Sequence, residues 1–210
     1  SLTKKLYFAG MNISIIFFQL FVFLFSVIIH EVSHGLVALK LGDTTAKDAG
    51  RLTLNPIPHL DPFGSFLLPL MIYFASGGAM IFGWARPVPY DPRFFKNPKL
   101  GGGLIAAAGP ISNLTVAVIF GIALRLLSLF GISGFGPLPL FFHVVIFVNV
   151  LLAVFNLIPI PPLDGSKVLF AFLPDRYDHA RVWLERYGMI LLLFFIFYGF
   201  ALIRPVISLL

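Results

Sequence analysis

The chain is 210 residues long, 59% hydrophobic and 11% charged, with 25 phenylalanines and a mean hydropathy of +0.96. One soluble core cannot hide that much apolar surface, so the composition excludes a water-soluble globule and implies a membrane protein. The formal charge of +6 with no cysteine does not point to nucleic acid, because the basic residues sit in short loops between apolar runs, and it leaves no disulfide or thiolate metal site.

The first apolar run covers about 13–41, after Lys4 and Lys5, and stops at Gly42. It is too long for a signal-peptide core and no small-residue cleavage site follows, so no signal peptide is expected. Inside it lies His30-Glu31-Val32-Ser33-His34. On a helix, positions i and i+4 share a face, so both imidazoles can grip one ion, and Glu31 beside them can take a proton from water. The pattern also arises by chance on helices. Three ionisable groups in a membrane-length run, however, need a shared compensation, and a metal ion supplies one.

The segment 42–62 is polar, with short extended pieces such as Arg51-Leu52-Thr53-Leu54 and stops at Asn55-Pro56 and Asp61-Pro62. It reads as a β-like loop over 43–62, with His59 a turn or interface residue, or alternatively a gate. The apolar run 63–83 carries Pro69 and Gly77-Gly78 and either spans or re-enters; 84–103 is basic and proline-rich. A long run over 104–130 contains Gly109-Pro110, and a tight turn at 131–137 follows. The run 138–173 breaks at Pro159, Pro161 and Pro162. Charges at helical spacing over 174–188 predict a surface helix, and 189–210 is a last apolar helix. Each long run suffices for a helical span. The whole reads as one transmembrane domain over 1–210, all-α and polytopic, with about four to six membrane helices and no soluble accessory domain.

Two histidines do not complete a catalytic metal site, which takes three protein ligands and one open position. The best third candidate is Asp164, in Asn156-Leu157-Ile158-Pro159-Ile160-Pro161-Pro162-Leu163-Asp164-Gly165. Prolines remove backbone donors and prevent continuous helix. A broken helix at membrane depth is tolerated only when buried in protein or lining a wet cavity. The competing reading makes Asp164 the N-cap of the next helix. His143 lies too far before Asp164 to share the ion and reads as an interfacial residue, as do Trp84, Tyr90, Arg125 and Arg204.

The pentad and Leu163-Asp164-Gly165 together resemble the site-2 protease family of intramembrane zinc metalloproteases, in its compact prokaryotic branch without PDZ or CBS domains. Ala108-Gly109-Pro110-Ile111-Ser112-Asn113 resembles that family's AGPxxN helix, residues 156–165 its NxxPxPxLDG segment, and residues 82–89 a loop of the compact branch. The resemblance implies that His30, His34 and Asp164 bind one zinc ion and that Glu31 is the catalytic base. It implies that Asn156 and Asn113 orient the substrate strand or the site, although a buried Asn113 serves helix packing as readily. It also implies a small membrane-associated β-hairpin or sheet over 43–55, able to pair with an unwound substrate. The expected setting is a multi-pass protein of a prokaryotic plasma membrane acting on transmembrane substrates.

The ligands must meet at one depth, which is easiest if the first helix and the broken helix run parallel. That holds if 63–83 re-enters, and the re-entrant arrangement also gathers most loop cations on one side. Two alternatives compete with the protease reading. A metal-ion transporter explains a broken helix but not a carboxylate between the histidines. A non-catalytic scaffold explains neither motif.

Overall fold

The computed structural model describes residues 2–75, 83–130 and 136–196, with side chains from Ser14 onward apart from Ile16. The helices are α1 (Leu2–Lys40), α2 (Thr45–Asp48), α3 (Leu68–Ala75, entered through a wide turn at Pro62–Leu67), α4 (Pro98–Leu129), α5 (Leu138–Asn156), α6 (Asp164–Phe172) and α7 (Asp178–Phe194). Three are long and apolar enough to cross a membrane: α1 over Phe17–Lys40, α4 and α5. The expected four to six spans are therefore three among the described residues. The remaining apolar runs fall on the short helix over Pro62–Phe74 and on a last segment that lies partly outside the described residues.

Helix α4 starts before the apolar run expected at 104–130. Asn97 Oδ1 accepts from Leu100 N at 3.0 Å and Pro98 takes the first helical position, a start signal that overrides the polarity of the next residues. Its 32 residues give about 48 Å, well over the ~30 Å hydrocarbon core. Its buried face is small, with Gly101, Gly102, Gly103, Ala106, Gly109 and Ala117. Lipid tails supply no hydrophobic drive between helices, so close backbone approach and dispersion must hold the bundle. Gly103 allows that approach, since a β-carbon there would collide with Ala171 of α6. Large apolar side chains instead point outward, among them Phe17, Phe21, Ile119, Ile122, Phe147 and Val154, as a lipid-facing surface requires.

The register follows from cross-helix contacts. Phe18 packs on Phe141 with ring centroids 4.5 Å apart, Val22 joins Val144 and Val148, and Ser26 meets Asn149. Helices α1 and α5 are thus parallel. Helix α4 packs against both and runs the opposite way, with His34 meeting Ile105, His30 meeting Asn113, and Phe120 meeting Phe142. The linker 41–97 therefore leaves α1 and enters α4 at the same end, where Ala38, Phe95 and Ile105 share a core cluster. Within it Trp84 N donates to Gly64 O at 3.0 Å and Ser65 Oγ donates to Trp84 O, so the two flanks of 65–83 touch.

The small sheet expected over 43–55 is not formed. Asp43 is fully buried and organises the segment differently. Its Oδ1 accepts from Thr45 N at 2.9 Å and from Thr45 Oγ1, and its Oδ2 accepts from Asp91 N at 2.7 Å. An aspartate that bonds backbone two residues on turns the chain into a helical turn rather than a strand. Arg51 N then returns to Ala46 O, and Gly50 takes a φ of 65°, which favours glycine. The extended look of Arg51-Leu52-Thr53-Leu54 finds no ladder partner.

The expected break in 138–173 is present: α5 ends at Asn156 and α6 begins at Asp164. Asp164 is not the N-cap. That position belongs to Leu163, and no side chain caps the helix. The surface helix expected over 174–188 and the start of the last apolar run are one continuous helix, α7, which passes through Gly188 packed against the Pro161 carbonyl.

Candidate metal centre

Among the buried residues of α1, Val22, Ser26, His30, His34 and Ala38 form an i+4 row facing α4 and α5. It places both imidazoles of the HExxH pentad inside the bundle, with ring centroids 4.6 Å apart and planes at 89°. Asp164 arrives from the far side of the proline break. Its Oδ2 lies 2.9 Å from His30 Nε2 and 3.2 Å from His34 Nε2. Gly165 permits this arrival, because a β-carbon there would strike the carbonyls of Leu157 and Ile158.

The outer nitrogens fix the tautomers. His34 Nδ1 lies 2.6 Å from Ile105 O, and a carbonyl only accepts, so this nitrogen carries the proton. His30 Nδ1 lies 2.7 Å from Asn113 Oδ1. Asn113 Nδ2 donates to Ser26 O at 3.2 Å and to Asn149 Oδ1 at 2.9 Å, which leaves its oxygen for His30. Each ring is thereby left with Nε2 facing one carboxylate oxygen, at 2.9 and 3.2 Å. A proton on Nε2 makes that contact a hydrogen bond; without it, two nitrogen lone pairs and an oxygen face one another and a cation must stand among them. Tetrahedral zinc with bonds of about 2.0–2.1 Å separates its nitrogen and oxygen ligands by about 3.3 Å, close to what the three atoms present. The donor set fits zinc, and outer partners on both histidines are the usual support of such a site. Gly109 keeps the space open: a β-carbon there would lie 2.5 Å from His30 Nε2 and 2.6 Å from His34 Cε1.

Glu31 is half-buried beside the histidines, with the ligand atoms of His30, Glu31 and His34 all within 4.8 Å of one another. Its Oε2 accepts from Val88 N at 2.9 Å. The loop supplying that donor is pegged at alternate residues. Arg51 Nη2 donates to Arg86 O at 2.5 Å, and Arg86 N donates to His59 O at 2.8 Å. Among the described residues Oε1 of Glu31 has no hydrogen-bond partner, so one oxygen is held and one is open.

Not every candidate joins this cluster. Asn113 does, through His30. Asn156 ends α5 with Nδ2 bonded to Leu152 O at 3.0 Å within its own helix. His143 is exposed and bonds Pro139 O locally. His59 is buried away from the ligands in the turn Ile57–His59, its Nε2 donating to Thr53 O at 2.9 Å. Sequence reasoning missed Asn149, Ser26 and the Val88 N–H. The only signal for Asn149 was an amide inside a 19-residue apolar helix, which is costly without partners.

A family model, Peptidase family M50, matches residues 134–197. YwhC of Bacillus subtilis, whose name describes it as a candidate zinc metalloprotease, is 45% identical over 168 residues, covering 78% of this chain and 73% of that protein. The chain belongs to peptidase family M50. Two further relatives also carry zinc metalloprotease names. Rip2 of Mycobacterium tuberculosis H37Rv, also named a candidate zinc metalloprotease, is 31% identical over 81% of this M50 chain and 62% of its own length. Zinc metalloprotease MJ0392 of Methanocaldococcus jannaschii is 32% identical over 81% of this chain and 39% of its own length. No solved structure matches. The M50 match takes in α5, the proline break, α6 and α7, hence Asn149, Asn156 and Asp164; the HExxH pentad of α1 lies outside it.

Proposed function

We propose that this protein is an intramembrane zinc metalloprotease that hydrolyses peptide bonds in transmembrane segments of other membrane proteins, as a multi-pass protein of a cell membrane. The observation that carries the reading is the convergence of two Nε2 atoms and one Asp164 oxygen, with Glu31 alongside. Three long apolar helices surround it. The antiparallel course of α1 and α4, and the contact of Trp84 with Gly64, support a re-entrant 63–83 and a single transmembrane domain. His30, His34 and Asp164 hold the zinc. What the ion supplies there is Lewis acidity toward a carbonyl oxygen and a lowered pKa for water.

The chain's own groups do the rest. Glu31 takes the proton of the attacking water on the oxygen that Val88 leaves open. It returns that proton to the amine nitrogen as the peptide C–N bond breaks. Asn113 holds His30 in the tautomer that points Nε2 inward. Asn156, at the edge of the break, orients the unwound substrate strand; its Oδ1 has no partner among the described residues and can accept a substrate N–H.

The test is cleavage of a membrane-spanning reporter by purified protein in lipid. Glu31→Gln should abolish cleavage while zinc stays bound at one ion per chain. Wild-type cleavage by that variant overturns the role of Glu31, and metal binding without any cleavage by the wild-type protein returns the transporter reading.

A further inference from the structure

Four side chains from three helices form a closed polar chain that ends on a metal-site histidine. Ser26 and Asn149 are buried, and Asn113 is buried completely, as is Asn149. Asn149 Nδ2 donates to Val145 O at 2.9 Å and to Ser26 Oγ at 2.9 Å. The Val145 carbonyl only accepts, so the amide of Asn149 cannot turn over, and its Oδ1 must face Asn113. That oxygen then fixes Asn113, because a flipped Asn113 would set oxygen against oxygen at 2.9 Å. A flipped Asn113 would also present N–H to His30 Nδ1. His30 would answer with the other tautomer, its proton on Nε2, where it can bind no metal.

We infer that Asn149 is a positioning residue of the metal site: by locking the amide of Asn113 it sets the tautomer of His30. The inference rests on the reading of His30, His34 and Asp164 as zinc ligands. Asn113 alone leaves the orientation to the longer, 3.2 Å bond to Ser26 O. The shorter contact is the one Asn149 makes. Outer partners of metal-binding histidines commonly change affinity about 10- to 100-fold, and the same range is expected here although Asn149 is one residue further out.

The experiment is competition for zinc against a chelating dye by the whole protein in detergent, read as an affinity and not as activity. Asn149→Leu fills the space with no acceptor and should weaken zinc about 10-fold or more. Asn149→Asp should stay within about threefold of wild type, because a buried acid is neutral, accepts through its carbonyl oxygen and donates to Ser26 Oγ through its hydroxyl. The deciding variant pairs Asn149→Leu with Asn113→Asp. Beside a zinc-bound histidine an acid is held as carboxylate, which accepts from Nδ1–H with either oxygen, so the double variant should regain the affinity. A purely packing role for Asn149 would leave the double variant as weak as the single one, and that result overturns the inference. So does wild-type affinity in Asn149→Leu. If Asn149→Leu is not monodisperse, Asn149→Asp decides alone: a tenfold loss in a monodisperse protein contradicts the lock. A wild-type protein that binds no zinc, or a His30→Ala variant that binds it as well as wild type, would instead remove the metal-site reading itself.

Discussion

At the scale of single residues, the site is a contest between lone pairs and space. His30 and His34 each bond a fixed acceptor outward through Nδ1, so Nε2 is the atom that faces Asp164 Oδ2, at 2.9 and 3.2 Å. Gly109 supplies the space opposite. Gly109→Ala should therefore abolish zinc binding in protein that still folds, because its β-carbon would lie 2.5 Å from Cε1 and Nε2 of His30 and 2.6 Å from His34 Cε1 and push the rings out of place; measured zinc content near one per chain would contradict this. The second contest concerns Glu31, which must be held yet keep one oxygen open. The Val88 N–H does the holding. A hydrogen bond to a charged group contributes roughly 1.5–3 kcal/mol, or about 10- to 100-fold in rate if it acts on the base. Val88→Pro removes that donor, together with the buried valine side chain, at a position already followed by Pro89, which favours the same extended backbone. Its turnover should fall by about that factor with zinc content unchanged. The pentad and Asp164 were legible from the sequence because each placed an ionisable group where hydrocarbon penalises it. The Val88 donor was not, since every residue but proline has an N–H and only the fold says where it points. Asn149 was invisible for a related reason: an amide in an apolar helix announces a partner without naming it.

At the scale of elements, the helix break was readable, while the start of α4 and the course of the loop were not. The prolines after Asn156 stopped α5, and Asn97-Pro98 started α4, through local backbone chemistry that needs no tertiary contact. Residues 43–55 misled because the resemblance implied a sheet there and Arg51-Leu52-Thr53-Leu54 looked extended, while buried Asp43 redirected the backbone through bonds to Thr45 and to distant Asp91. That second bond joins segments on either side of α3, which no local pattern reports. The connection between α6 and α7 carries a smaller electrostatic tie. Lys99 Nζ bonds the Leu173 carbonyl and reaches Asp175 Oδ1 at 2.7 Å. That hydrogen bond and the lysine charge lower the Asp175 pKa. A carboxylate with a lowered folded pKa contributes stability above its unfolded pKa, about 3.9, and loses it as pH falls through the folded value. The thermal midpoint of Asp175→Asn should lie slightly below wild type at pH 7, with the two converging in strong acid. A gap that widens on acidification would show that the pair does not act this way. Because the pair is exposed to solvent, the gap should also shrink in high salt.

At the scale of the whole molecule, α1 and α5 run parallel with α4 antiparallel to both, and this arrangement brings the two halves of the site to one depth. It also requires the linker 41–97 to begin and end on one side of the bilayer. The chain has no cysteine, so single cysteines report position cleanly. Labels at exposed Lys47→Cys and Lys96→Cys should react from the same face, and at Phe130→Cys from the other. Opposite faces for the first two would contradict the re-entrant course of 63–83. The number of spans was the part of the architecture least legible in sequence, since length and hydropathy do not distinguish a helix that crosses from one that dips and returns. The site itself is decided most directly by anomalous scattering at the zinc edge from crystals of the whole protein. The account expects one peak, within about 2.0–2.3 Å of the two Nε2 atoms and an Asp164 oxygen. A peak elsewhere, or zinc held by the histidines with Asp164 turned away and no other residue in its place, would contradict it.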